Sequence, residues 1–254
     1  MIDAGVNLTS SQFSKDTDEV VLRAREAGIT SMMLIGCDEQ DSHDAHTLAQ
    51  HYGFYSCAGV HPHNAKDASA NLEENLRWLA AHPHVIAIGE CGLDYNRDFS
   101  PREQQREVFT RQLALANELN MPVYLHERDA SDDMLAILKE HAPRGVLHCF
   151  TGGPKQAEQY LELGLYLGIT GWVCDERRSQ ELNQALNVIP VERILSETDA
   201  PYLLPRTIRP KPKSRRCEPA HLPYVITHLS NHFQLSEARM AAITSDNFKR
   251  LFHL

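Results

Sequence analysis

No apolar run in the sequence approaches the roughly 18 residues that a bilayer-spanning helix requires. The opening residues Met1-Ile2-Asp3 carry neither a basic segment followed by an apolar stretch nor an Arg-rich transit pattern. Both absences lead to the expectation of a cytoplasmic protein without a membrane partner. Cysteine is scarce and scattered: the residues at 37, 57, 91, 149, 174 and 217 form no CxxC and lack the density of a secreted disulfide scaffold, so they read as reduced thiols. Net positive charge is missing too. The formal charge of −9 excludes a general cationic coat for duplex DNA or anionic lipid and leaves a polyanion only a local basic patch. No Gly-rich dinucleotide fingerprint follows the first apolar run, and no internal repeat, low-complexity tract or linker interrupts the chain.

What is present is ordinary globular composition, 42% apolar and 23% charged, over 254 residues, the usual length of one (β/α)8 barrel. The expectation is a single domain, residues 1–254. Eight short apolar runs alternate with amphipathic stretches, the pattern of a parallel sheet with crossover helices. The runs are Ile2–Val6, Ser31–Gly36, Phe54–Val60, Val85–Gly89, Pro122–Leu125, Gly145–Leu147, Leu165–Ile169 and Arg193–Glu197. Helices are expected at Asp16–Ala27, Asp41–His51, Leu72–Ala81, Arg102–Leu119, Asp132–His141, Lys155–Leu163 and Gln180–Val188. Beyond the last run come Pro219–Asn231 and a closing pair, Ser236–Ile243 and Ser245–Phe252. Ser100-Pro101 reads as a cap followed by a first-turn proline, and Gly28 and Gly164 stand where helices should stop.

In such a barrel the active site is built at the carboxyl ends of the strands. Those ends carry Asp3, Gly5 and Asn7; His61 and His63; Glu90; His126; His148; Thr170; and Asp199. A lone histidine at a strand end is usually hydrogen-bonded or at the surface, and a lone glutamate usually caps a helix or pairs with a cation. Several imidazoles and carboxylates on one rim form instead a ligand set for a divalent metal, since nitrogen and oxygen donors suit zinc, manganese or magnesium.

The segments GVHPH (59–63), GECGLDY (89–95), PVYLHERDA (122–130), LHCFTG (147–152) and ILSETDAPYLLPR (194–206) give the chain an end-to-end resemblance to the TatD family of metal-dependent deoxyribonucleases. The resemblance implies a (β/α)8 barrel of metal-dependent hydrolase type that cleaves phosphodiesters. It implies metal ligation by Glu90, His126, His148 and Asp199, with Glu90 bridging if two ions bind. It further implies that Asp199 orients or deprotonates the attacking water and that His61 contacts the scissile phosphate. The first strand departs from the family pattern. Most relatives have Asp-x-His-x-His, whereas this chain reads Asp3-Ala4-Gly5-Val6-Asn7, so one metal position should be weak or depend on Asp3, Glu90 and Asp199. Oxygen donors there favour magnesium or manganese over zinc. The expected cofactor is one or two divalent ions, Mg2+ foremost, with Mn2+ and Zn2+ as alternatives.

Residues 201–220 hold Arg206, Arg209, Lys211, Lys213, Arg215 and Arg216 against Glu218 alone. This is either a solvated surface loop or, after the eighth strand, a grip on a nucleic-acid backbone. Tyr95, Phe150, Trp172 and Tyr202 follow strands and could stack bases or pack the rim. Cys91 and Cys149 adjoin Glu90 and His148, and strand alternation should turn them away as buried fillers. The resulting expectation is a monomeric 3′–5′ exonuclease on single-stranded DNA and RNA, with a role in DNA repair or turnover. The alternatives are a small-molecule amidohydrolase or lactonase and a degenerate nucleic-acid binder.

Overall fold

The structure, a computed structural model, describes residues 1–254. The fold is a (β/α)8 barrel, with parallel strands β1 to β8 in chain order. The strands are β1 (Ile2–Val6), β2 (Ser31–Leu34), β3 (Tyr55–Ala58), β4 (Val85–Asp94), β5 (Val123–Arg128), β6 (Gly145–Leu147), β7 (Tyr166–Ile169) and β8 (Ile194–Ser196). The helices are α1 (Thr17–Glu26), α2 (Glu39–Tyr52), α3 (Leu72–Ala80), α4 (Arg102–Glu118), α5 (Ser131–His141), α6 (Pro154–Glu162), α7 (Gln180–Ala185), α8 (Leu222–Phe233) and α9 (Glu237–Phe252). No helix is long and apolar enough to cross a membrane. The closing pair expected from the sequence is one continuous helix, α9, since Ser245 stays helical by bonding its hydroxyl back to the Ala241 carbonyl at 2.7 Å.

The chain divides into two compact units. One comprises Met33–His148 and Glu162–Leu165. Its strands are buried on both faces, as parallel strands covered by helices must be: Met33, Leu34, Ala87, Ile88, Val123 and Leu125 are all fully enclosed. Two buried glutamines on one face of α4 clamp the strand exits. Gln112 bonds both the amide and the carbonyl of Val60, next to His61 (2.8 and 3.0 Å). Gln105 does the same for Asp94 (2.9 and 3.1 Å). Such bonds satisfy backbone groups that a strand end would otherwise bury unpaired. Ser100 does not cap α4, whose N-cap is Pro101. Its hydroxyl instead donates to the His63 carbonyl (2.9 Å) and accepts from the Lys66 amide (3.0 Å).

Strand β4 runs five residues past its expected end. Its register against β5 shifts between Gly89 and Cys91, leaving Glu90 as the extra residue of a bulge. Bulges beside active sites re-aim a side chain. With Glu90 turned inward, Gly92 and Asp94 follow on the same face by the two-residue period.

The other unit comprises Met1–Met32, Cys149–Leu161 and Tyr166–Leu254. Here a bridge between Val6 and Ala200 joins β1 to the segment that follows β8, and β7 pairs with β8 from Leu167 to Ile169. Asn247 of α9 donates to the carbonyls of Val191 and Ile194 (2.8 and 2.9 Å), fixing the entry to β8. Gly28 and Gly164 end their helices with φ +86° and +81°, as read from the sequence.

Candidate metal centre

In the Met33–His148 unit, His61, Glu90 and His126 converge: one potential ligand atom from each lies within 4.8 Å of the others. Each is set by its backbone. The His61 amide donates to Cys37 O (2.9 Å), and the Glu90 amide to Gly36 O (3.0 Å). His126 lies beside Gly92 in the β4–β5 register, where the absence of a side chain leaves room for the approach.

His126 Nδ1 bonds Glu90 Oε1 at 2.9 Å. Its Nε2 is buried without a hydrogen-bond partner, the nearest carboxylate oxygen, Asp94 Oδ2, lying at 3.6 Å, beyond hydrogen-bond range. A buried imidazole nitrogen without a hydrogen-bond partner, set among carboxylates, can ligate a divalent cation once the ion displaces the ring's acidic proton, so the residues present fit a metal. Burial lowers the basicity of His126, but Asp94 and Glu90 override it and raise its pKa to about 9. Burial likewise raises the Glu90 carboxyl, yet the facing imidazoles of His61, His126 and His148 hold it well below the usual range.

His61 differs. Its Nδ1 accepts the His63 amide at 3.1 Å, and burial pushes its pKa down to about 3. The neutral ring therefore carries its proton on Nε2, which stands 3.5 Å from Glu90 Oε1 and is a donor rather than a ligand.

Asp94 was not singled out in the sequence, nor was Tyr124. Asp94 is buried at the end of β4, with Oδ2 2.6 Å from His63 Nε2. The Tyr124 hydroxyl, fully buried, meets His148 Nδ1 at 2.7 Å. Segment GECGLDY contained the first signal, obscured because its glycines suggested that the strand had ended.

In the other unit, Asp199 follows β8 with φ +55°, and its Oδ1 accepts from Asn7 Nδ2 at 2.9 Å. Asn7 thus holds the carboxylate through its side-chain amide. Asp3 is fully buried and accepts from Thr198 N (2.9 Å), Thr198 Oγ1 (2.6 Å) and Gly5 N (3.3 Å), an arrangement that shapes the turn into Asp199. Cys91 is a buried filler whose thiol burial pushes well up. Cys149 is not: alternation lapses where β6 ends, its φ is +47°, and its half-buried Sγ lies 3.6 Å from Thr170 Oγ1.

The loop cations divide. Arg216 is held by Asp16 (2.7 and 2.8 Å) and Glu218 (2.7 Å), so it is a tether and not part of the open basic surface. Arg206 stands 3.8 Å from Asp175, and Arg209 donates to the carbonyls of Arg206 and Ile208. Lys211, Lys213 and Arg215 are exposed and make no ion pair. Among the aromatics, Phe150 is buried against Tyr160 and is not offered to a base, while Tyr95 is half-buried, its hydroxyl bonded to Asp133 and Arg102 lying over its ring at 4.3 Å. Arg178 lies over the Trp172 ring at 4.2 Å, and Tyr202 is 53% exposed.

The family model described as TatD related DNase matches residues 2–253. The chain belongs to the TatD related DNase family. A TatD-family relative from Klebsiella pneumoniae (strain 342), named 3'-5' ssDNA/RNA exonuclease TatD, is 53% identical over 99% of this chain and 97% of its own length. The Escherichia coli (strain K12) protein of the same name is 49% identical over 99% and 98%. The solved structure of YJJV, a TatD homolog from Escherichia coli K12, superposes with a TM-score of 0.92 at 27% identity, covering 100% of this chain and 98% of that one.

Proposed function

We propose that this TatD-family chain is a metal-dependent 3′–5′ exonuclease on single-stranded DNA and RNA. The observation that carries the reading is the convergence of His61, Glu90 and His126 around a buried, unpartnered imidazole nitrogen, in a family of DNases whose relatives of about half identity bear that activity in their names. Glu90, His126 and His148 would hold the ion, with Asp199 contributing on the strength of the resemblance. When bound, a divalent ion acidifies the attacking water and stabilises charge on the in-line transition state and leaving oxygen. Mg2+ or Mn2+ suits the oxygen donors, and the imidazoles admit Zn2+.

The chain's own groups do the rest. Asp199, aimed by Asn7, takes the water's proton. The neutral His61 donates from Nε2 to a phosphate oxygen. Asp94 fixes His63, whose amide in turn fixes the His61 tautomer. Lys211, Lys213 and Arg215 contact the strand's phosphates.

A 5′-labelled single strand with protein and Mg2+ should give a ladder descending from the 3′ end; an uncut strand counts against the reading. Replacing Lys211, Lys213 and Arg215 with Ala should flatten the salt dependence of oligonucleotide binding by about one to two units of log–log slope, at about 0.7 per phosphate contact. An unchanged slope would leave the loop as solvated surface.

Tyr124→Phe removes one hydroxyl without changing core volume. If the Tyr124 bond keeps the proton on His148 Nδ1 and so presents Nε2 to the ion, Mn2+ affinity measured by calorimetry should drop about tenfold. Equal affinity in the folded variant would deny the bond that role.

A further inference from the structure

We propose that Phe99 is a stacking platform for an unpaired nucleobase beside the hydrolytic centre, an assignment that rests on the reading of the site as one for single-stranded nucleic acid. Phe99 lies on the turn between β4 and α4 and is 54% exposed. Its ring centroid is 4.8 Å from that of His63, and His63 in turn is 4.3 Å from His61 and 6.2 Å from His126. The Phe99 and His63 rings are inclined at 69°, an edge-to-face contact and not a parallel stack, and more than half of Phe99 stays open to solvent.

A single exposed apolar residue is ordinary on a protein surface. Phe99 is set apart by the rigidity of the backbone that presents it. On its amino side, Asp94 Oδ1 accepts from the amides of Asn96 and Arg97 (both 2.9 Å), and Asp98 is gripped by Arg102 through both carboxylate oxygens (2.9 and 2.8 Å). On its carboxyl side, the fully buried Ser100 bonds His63 O and Lys66 N, while its carbonyl accepts from Gln105 at 2.8 Å. The turn thus keeps the ring from folding back onto the apolar interior and holds it in water next to the reacting groups. Preorganisation of this kind avoids an ordering cost when a partner binds.

The partner that matches a fixed phenyl face beside a phosphodiester-cleaving centre is a nucleobase, because every base offers a π-face and stacking is tolerant of sequence. A base inside a duplex already has both faces covered. Phe99 therefore favours an unpaired end and accounts for single-strand selectivity without any base-specific hydrogen bond.

The test measures binding of a cleavage-resistant phosphorothioate single strand to the Mn2+-loaded protein, comparing wild type with Phe99→Ala, Phe99→Leu and Phe99→Trp. With an intact strand, Ala and Leu should weaken binding roughly tenfold to a hundredfold and Trp should preserve it. With a strand whose 3′-terminal nucleotides are abasic, wild type and Phe99→Ala should bind alike, since the group that stacks is gone. Calorimetric Mn2+ affinity should be the same in all variants, which separates lost stacking from a damaged centre. Equal losses on intact and abasic strands, or no loss on either, overturn the platform while leaving the nuclease reading in place. A wild-type protein that neither binds nor cuts any oligonucleotide overturns both.

Discussion

His126→Ala is expected to reduce turnover on single-stranded oligonucleotide at least a hundredfold, equivalent to about 3 kcal/mol of lost transition-state stabilisation, together with loss of bound metal. The substitution removes an imidazole nitrogen that is buried without a hydrogen-bond partner and the ring that bonds Glu90. The same change should weaken the metal-free fold, because Glu90 and Asp94 are left buried without the cation between them. Breaking such a buried pair costs on the order of 3–5 kcal/mol. The pH dependence has a defined sign. The folded pKa of His126, about 9, lies above its ordinary 6.5, so its contribution is fully present below about pH 6.5 and is lost as pH rises through 9. Urea unfolding of the metal-free proteins should therefore show the wild type and variant separated at pH 6 and converging towards pH 9. Wild-type activity and metal content in the variant would remove His126 from the centre.

Gly92→Ala is expected to destabilise the protein by at least about 4 kcal/mol, combining strain with a backbone collision. Gly92 has φ +148°, and a Cβ there would strike the carbonyl oxygen of His126, which cannot yield without breaking the β4–β5 pairing. Gly53 provides the control: its φ is +74°, yet a Cβ would meet nothing within 4 Å, so Gly53→Ala should cost only about 1–2 kcal/mol, the left-handed penalty alone. Chemical denaturation of the pair measures the difference. Similar midpoints would mean that β4 can shift away from β5, and the placement of Glu90 and Asp94 by that register would have to be abandoned.

The architecture was legible because apolar runs and amphipathic stretches alternate cleanly, and all eight strands fall within the expected runs or extend them. The strand-end rule picked out His61, Glu90 and His126, which the structure brings together, and named His148 and Asp199 by the same logic. It missed Asp94 because glycines usually weaken a strand, whereas those in β4 permit it to continue against β5 past a bulge. The clamping roles of Gln105 and Gln112 were hidden because polar residues on a helix read as solvent-facing. Asn7 looked like a deficit, an absent imidazole. In the structure it supplies an amide donor to Asp199. Residue counting also overstated the open basic surface, since composition does not reveal that Arg216 is already engaged by two carboxylates.

That engagement limits how the basic segment can act. Ile208 is buried at one end and Arg216 is anchored at the other, leaving residues 209–215 as a bridge between fixed abutments. Even fully drawn out, such a bridge has a contour of about 25 Å, and with both ends held its crown can stray only about half that from its footings. Lys211, Lys213 and Arg215 are thereby confined to a small volume, in which their effective concentration for a nearby phosphate stays high. If these cations grip the substrate as proposed, a strand that slips by one nucleotide after each cut would still find the same three within range, and the tether that removes one arginine from the open surface would favour retention of substrate between successive cleavages.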